Sequence, residues 1–242
     1  MTRKEKCIFN IKIVDIVISI EANYIETRDF FSKFLTNEKA SEYVKISEHE
    51  IDIFSKKFPD FTKQMCEKGI LKYYIDEIAV DHDAFPFHAS ALSYKGDGYV
   101  FTALSGVGKS THAKIWQETF GKDVIIINDD RPYLKVVGNR VYAYSHPQAG
   151  KHNLYNNTMC EVKIIGKIIR DDRNFIKRIP KNEMFPFLVQ QTFTMDKREI
   201  TVKILSLIKK VLNCTRFYEI HCNTDSNSAY IIHNQINKDI YD

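Results

Sequence analysis

Apolar and polar residues alternate near the start of the chain, as they do in β-strands. Apolar residues repeat with a period of two over residues 9–13 and again, in a shifted phase, over residues 16–20. This pattern predicts two strands joined by a bend near Asp15. Lys12 and Asp15 interrupt the apolar run, and no small-residue cleavage site follows it, so we expect neither a signal peptide nor a membrane span.

Helical periodicity is weaker in this first part of the chain. Residues 28–35 predict a short helix, and residues 47–58 predict a second one that opens with a Ser47–Glu50 capping box. From there to about Tyr74 the pattern is mixed and predicts no single element. We therefore expect residues 1–83 to form a small α/β region that packs on the rest of the protein and carries no chemical motif.

The second part of the chain, residues 84–242, reads as an α/β core. A buried strand runs without a break into a glycine turn and an amphipathic helix, whose apolar face carries Ala113, Trp116 and Phe120. A hairpin follows through Gly138 and Asn139. The predicted elements are strands at 98–103, 124–127, 133–137, 140–144 and 216–220, and helices at 110–120, 201–212 and 225–236, the last capped by Asp225.

Composition excludes several classes of protein. The chain has 242 residues, of which 44% are hydrophobic and 27% charged, which is enough for a packed core. A formal net charge of +4 does not demand a nucleic acid and leaves room for an anionic ligand or an acidic peptide. Basic residues crowd positions 163–181, either as a solvated face or as a docking surface for such a peptide. Five cysteines without a C-x-x-C pair favour a reducing cytoplasm.

The most informative segment is residues 103–111, Ala-Leu-Ser-Gly-Val-Gly-Lys-Ser-Thr. A strand, a glycine loop, Lys-Ser and a helix start occur in the order that a phosphate-binding loop (P-loop, Walker A motif) requires. In such a loop, Lys109 neutralises the β- and γ-phosphates and the Ser110 hydroxyl binds Mg²⁺. Ala103 stands where the general pattern has its first glycine. The candidate nucleotide-binding residues are Ser105, Gly106, Val107, Gly108, Lys109, Ser110 and Thr111.

A second candidate group follows the next buried strand as Asn128-Asp129-Asp130. Adjacent carboxylates repel each other, so they persist best where a cation or a proton-accepting role compensates them. One aspartate can hold Mg²⁺ while the other accepts the proton of an attacking hydroxyl. The alternative is a solvated acidic turn. His88 lies among apolar residues and, on sequence alone, is either a core histidine or a functional one.

These three segments together resemble one family. The run His88-Ala89-Ser90-Ala91, the loop and the double aspartate are similar to the bacterial HPr serine kinase/phosphorylase and its relative, ATP-dependent phosphoenolpyruvate carboxykinase. Residues 145–152 are similar to the Pro-x-x-Gly-Lys loop of an HPr-kinase-like branch that is associated with modified-peptide biosynthesis, and residues 218–223 to its closing strand. The resemblance covers roughly residues 70–236. The arginine-rich substrate loop of the carboxykinase is missing, so we expect no decarboxylation.

The resemblance implies a fold and a set of roles. The fold is the P-loop fold of the HPr kinase C-terminal domain and the carboxykinase, an α/β fold with a mixed, bent sheet, and the cofactors are ATP and Mg²⁺. Ser110 and Asp130 would hold the metal, and Asp129 would be the base, although the two aspartates could exchange roles. His88 would lie beside the γ-phosphate or the metal.

The acceptor side is implied less sharply. Gly150 and Lys151 would contact the acceptor or the transferred phosphoryl group, with a solvated surface position as an equal alternative for Lys151. The expected function is transfer of the γ-phosphoryl group of ATP to a hydroxyl, expected to be serine, of a peptide or small protein. Two alternatives stay open: a kinase for a small molecule such as free serine, and a non-catalytic, nucleotide-gated binding module. We expect a cytoplasmic monomer or homodimer with no nucleic-acid or membrane partner.

Overall fold

A computed structural model describes residues 6–150, 153–192 and 197–242. The chain forms two compact units, Met1–His82 and Asp83–Asp242. The first unit combines a small sheet with three helices, and the second combines a larger sheet with four helices, among the described residues. Packing of the N-terminal region on the core, which the sequence suggested, stays a prediction.

The sheet of the first unit is built on an N-terminal hairpin. Val14 and Asp15 form its turn with φ angles of +54° and +64°, the backbone that a tight two-residue hairpin turn needs. The predicted pair of strands with a bend at Asp15 is therefore confirmed. In the described residues the strands lie in the order β3-β1-β2-β4, with the bounds β1 Cys7–Ile13, β2 Ile16–Ala22, β3 Leu35–Thr36 and β4 Glu42–Lys45.

Two of the helices of this unit match the sequence pattern. Helix α1, Ile25–Phe30, begins earlier than predicted and is followed by a short 3-10 turn. Helix α2, Glu48–Lys57, begins after Ser47, whose Oγ accepts the N–H of Glu50 at 3.2 Å while Glu50 Oε2 accepts the N–H of Ser47 at 2.8 Å. The predicted capping box is confirmed.

The prediction of a mixed segment up to Tyr74 was wrong, because helix α3 occupies Lys63–Asp81. Its buried side includes Glu67, which is fully buried and accepts hydrogen bonds from the backbone and side-chain N–H groups of Asn23 and from the Thr27 hydroxyl. Polar residues on the buried side break the apolar period that identifies a helix in sequence. The partners of Glu67 lie about 40 residues away in the sequence, so a local sequence pattern cannot reveal the pairing.

The second unit holds a curled, mixed sheet that agrees with the predicted α/β class. Strand β11 (Met159–Arg170) lies at its centre, parallel to β7 (Asp97–Thr102) and β13 (Arg216–Cys222). The remaining strand pairs of this sheet are antiparallel among the described residues. The order is β5-β9-β10-β11-β7-β6-β8, and β13 pairs with both β11 and β12. The bounds are β5 Ala84–Pro86, β6 Ala89–Tyr94, β7 Asp97–Thr102, β8 Val124–Asn128, β9 Tyr133–Val137, β10 Arg140–Tyr144, β11 Met159–Arg170, β12 Phe175–Arg178 and β13 Arg216–Cys222.

The basic segment 163–181 is divided between strands and a helix start. Lys163 pairs with Asp97, Lys167 lies 3.5 Å from Glu219, and Arg178 Nε donates to an Asp239 carboxylate oxygen at 2.6 Å. Several of these cations are thus paired with acids on neighbouring elements.

The helices of this unit are α4 Lys109–Phe120, α5 Lys181–Gln190, α6 Arg198–Cys214 and α7 Ser228–Tyr241. Ala113 and Trp116 are buried against the sheet, as the pattern of α4 predicted. The expected cap of the last helix was wrong: Asn227 is the cap residue, and Asp225 instead accepts the Asn227 N–H in the preceding turn. None of the described helices is long and apolar enough to cross a bilayer.

Candidate active site

The loop between β7 and α4 has the backbone that its glycines allow. Gly106 and Gly108 have φ angles of +79° and +121°, which side-chain-bearing residues rarely adopt. Gly108 caps α4, so the unpaired N–H groups of the first helical turn face the loop. A loop of this form at a helix N-terminus suits an anion, because its N–H groups and the helix dipole both favour negative charge.

Lys109 lies inside this loop rather than in solvent. The residue is 7% exposed, and its Nζ donates to the Ala103 carbonyl at 3.3 Å. Burial lowers the pKa of Lys109, and the nearby Asp130 carboxylate partly opposes this effect. An anionic ligand in the loop would place a compensating negative charge next to the buried ammonium group of Lys109.

Arg170, at the end of β11, braces the loop from outside. Its Nη2 donates to the Gly106 carbonyl at 2.6 Å and its Nε to the Val107 carbonyl at 2.9 Å. These bonds occupy the carbonyl groups of Gly106 and Val107. In the sequence Arg170 stands out only as part of a basic segment, because its contact with the loop depends on β11 lying parallel to β7.

The turn after β8 is organised by Asn128, which is fully buried. Its Oδ1 accepts the N–H groups of Asp130 at 3.0 Å and Arg131 at 2.7 Å. Its Nδ2 donates to the carbonyls of His146 at 3.0 Å and Gln148 at 2.9 Å. Asn128 therefore fastens the turn that carries the two aspartates to the loop of residues 145–150. The sequence pattern predicted no role for Asn128 itself, although asparagine is a common turn former.

Asp129 joins several elements. Its carboxylate is buried and accepts the Gly150 N–H at 2.7 Å through Oδ1, and a Cβ on Gly150 would lie 3.2 Å from both carboxylate oxygens. Its backbone carbonyl accepts the hydroxyls of Ser90 at 3.1 Å and Ser110 at 3.2 Å. The Asp129 turn thus lies directly against the first turn of α4. Gly150 contacts this carboxylate, and Lys151 lies outside the described residues.

Asp130 and His88 lie on the more open side of the same turn. The Asp130 carboxylate is 32% exposed and lies 4.0 Å from His88 Nε2, while His88 Nδ1 lies 3.0 Å from Oε1 of Gln191. With this oxygen as the acceptor, Nδ1 carries the proton and Nε2 faces Asp130. Burial and the charge of Lys109 lower the pKa of His88, which keeps the ring neutral near pH 7. Gln191 had no signal in the sequence.

The oxygen donors at this turn suit Mg²⁺. The described residues contain no group of three or more His, Cys, Asp or Glu side chains that could hold a metal ion on their own. Magnesium ordinarily takes one or two carboxylates and completes its shell with water and phosphate oxygens. The Asp130 carboxylate and the Ser110 hydroxyl provide such donors, and Ser110 is fixed to the aspartate turn through the Asp129 carbonyl.

Comparison with protein families and with curated proteins found no match. Among solved structures, the chain is similar to the "Hpr(Ser) kinase/phosphatase from Coxiella burnetii", with a TM-score of 0.31 and 13% sequence identity. That match covers 51% of this chain and 88% of the other. A likeness of this degree carries no argument about activity.

Proposed function

We propose that this protein is an ATP-dependent phosphotransferase that moves the γ-phosphoryl group to a hydroxyl, namely a serine hydroxyl of a peptide or small protein. The observation that carries the proposal is the contact between the Ser110 hydroxyl and the Asp129 carbonyl at 3.2 Å. This contact joins the backbone of the turn that carries both aspartates to the start of the helix that follows the phosphate loop. Phosphoryl transfer needs this combination of a phosphate-binding loop, metal ligands and a nearby proton acceptor.

Each part of the site has a task in this proposal. The loop N–H groups and Lys109 bind the phosphates, and Asp130 and Ser110 hold Mg²⁺, which neutralises the charge of the β- and γ-phosphates when it is bound. Asp129 accepts the proton of the attacking hydroxyl, and the Gly150 N–H orients its carboxylate. Because in-line transfer requires little covalent chemistry from the protein, most of the rate comes from positioning and charge stabilisation.

One observation favours a second candidate, a nucleotide-gated binding module without transfer. Asp129 is only 2% exposed, and the Gly150 backbone N–H lies against its carboxylate. An acceptor hydroxyl reaches Asp129 only if the loop of residues 145–150 moves. In the kinase, binding of nucleotide or acceptor drives this movement, whereas in the binding module the movement itself would be the signal.

The test is transfer of label from γ-labelled Mg-ATP into a lysate of the source cell that has been separated into peptide and metabolite fractions. Lys109→Met serves as the control, because it removes the phosphate-binding cation. Label that appears in the peptide fraction only with the wild type supports the proposal. Label confined to metabolites would indicate a small-molecule kinase, and no label despite measurable ATP binding would indicate the binding module.

A further inference from the structure

A cavity of about 560 Å³ opens beside the phosphate loop. It lies between the first turns of α4 and the carboxyl ends of β11 and β13. Val107, Gly108 and Thr111 contribute to its wall, so it continues directly from the loop that would hold the phosphates. Its volume is within the range of about 300–1,000 Å³ that is usual for small-molecule sites.

One part of the cavity wall is apolar, and the rest is polar and includes Arg170, Asp171, Asp172, Asn223 and Thr224. Ile115 and Ile168 line the apolar part, together with Cys222, and all three are nearly buried. Burial raises the pKa of the Cys222 thiol to about 11, so this group is uncharged at neutral pH. This uncharged, apolar part of the wall suits a flat face of an aromatic ring system.

His112 is the polar residue of the wall that stands out. It is 2% exposed, and its Nε2 accepts the indole N–H of Trp116 at 3.0 Å. Because Nε2 is the acceptor, the single proton of the neutral ring is on Nδ1. Within the described part of the chain, Nδ1 has no hydrogen-bond partner. Buried donors ordinarily have partners, so an unpaired one at a cavity wall indicates a missing ligand acceptor.

We propose that this cavity binds the adenine base of the nucleotide and that His112 Nδ1–H donates a hydrogen bond to a ring nitrogen of that base. The inference rests on the proposed function, because it requires the phosphates to lie in the adjoining loop. His112 is thus a specificity-determining residue of the nucleotide site. The Trp116 indole fixes the tautomer that this role needs.

The experiment measures binding of Mg-ATP and of magnesium tripolyphosphate to the full chain by calorimetry. Tripolyphosphate occupies the loop but carries no base. We expect the wild type to bind ATP at least about tenfold more tightly than tripolyphosphate, and His112→Phe to weaken ATP about tenfold with tripolyphosphate unchanged. His112→Asn keeps an N–H donor near the position of Nδ1 and should recover part of the loss. Unchanged tripolyphosphate binding shows that each variant has kept a folded loop.

A set of ATP analogues identifies the ring nitrogen. The 1-deaza, 3-deaza and 7-deaza forms of ATP each lack one ring-nitrogen acceptor. We expect one of these analogues to bind the wild type about tenfold more weakly than ATP does. The same analogue should bind His112→Phe as tightly as ATP does, because that variant has no donor for the missing nitrogen. Equal binding of ATP and tripolyphosphate by the wild type would overturn the base site and leave the loop assignment intact. Absence of binding for both would overturn the loop assignment and the base site together.

Discussion

Replacing Asn128 by aspartate tests how the aspartate turn is held in place. The change replaces the Nδ2 amide group with a carboxylate oxygen. The carbonyls of His146 and Gln148 therefore lose the donor that they share and lie against this oxygen, which is itself an acceptor. The bonds that Oδ1 accepts from Asp130 and Arg131 can persist. The perturbation therefore acts on the link between the turn and the loop of residues 145–150.

The expected cost follows from the number of bonds lost. A buried acceptor that loses its donor costs about 1–3 kcal/mol, and the Gln148 carbonyl is only partly buried, so we expect about 2–4 kcal/mol in the free energy of unfolding at pH 7. Protonation of a buried aspartate restores a donor, so its pKa is expected to be raised in the folded state and the deficit to shrink as the pH falls.

Urea unfolding of the wild type and Asn128→Asp at pH 7 and pH 5 measures this difference. A variant that is as stable as the wild type at pH 7, within about 0.5 kcal/mol, would refute the role of Asn128. A deficit that grows towards pH 5 would contradict the assignment of its Nδ2 as the donor to two carbonyls.

Three further predictions concern single residues of the site. Gly150→Ala adds a Cβ 3.2 Å from both Asp129 carboxylate oxygens and should lower kcat roughly tenfold with little effect on ATP affinity. An unchanged kcat would show that turnover does not depend on the position of the Asp129 carboxylate beside Gly150. Arg170→Gln removes the hydrogen bonds to the Gly106 and Val107 carbonyls and should weaken ATP binding about fivefold in calorimetry. The control Arg173→Gln changes an exposed neighbour that pairs with Asp171 and should leave ATP binding unchanged, so equal effects of the two variants would contradict the role of Arg170. Burial lowers the pKa of His112 from 6.5 to about 3, so as the pH falls the imidazole is protonated in the unfolded chain before it is protonated in the folded one. Between pH 7 and pH 4 the free energy of unfolding of the wild type should therefore fall by about 3 kcal/mol more than that of His112→Phe. The same pH dependence of urea unfolding in both proteins would argue against a buried, neutral ring.

The local elements of the fold were predictable from the sequence. The N-terminal hairpin, the capping box of α2, the strand before the phosphate loop and the β9–β10 hairpin all depend on patterns within about 15 residues. Helix α3 was missed because Glu67 on its buried side finds its partners about 40 residues away. Local patterns do not report such pairings.

The candidate site was predictable only in part, for the same reason. The glycine loop and the two aspartates are contiguous motifs, so their chemistry is readable in the chain. Three other residues make contacts that depend on how distant parts of the chain pack together. Arg170 bonds the loop carbonyls, Gln191 contacts His88, and His112 lines the cavity. Their residue types alone do not separate them from ordinary surface or core positions.

The most direct test of the central claim compares Asp129→Asn with Asp130→Asn in two measurements, the Mg²⁺ dependence of ATP binding and the transfer of label from γ-labelled ATP to the acceptor fraction. We expect Asp129→Asn to bind Mg-ATP as the wild type does and to lose most of its turnover, because the carboxamide cannot accept the hydroxyl proton. Asp130→Asn should lose the Mg²⁺-dependent part of binding. Near wild-type transfer by both variants would contradict the account, because neither carboxylate would then take part in the reaction.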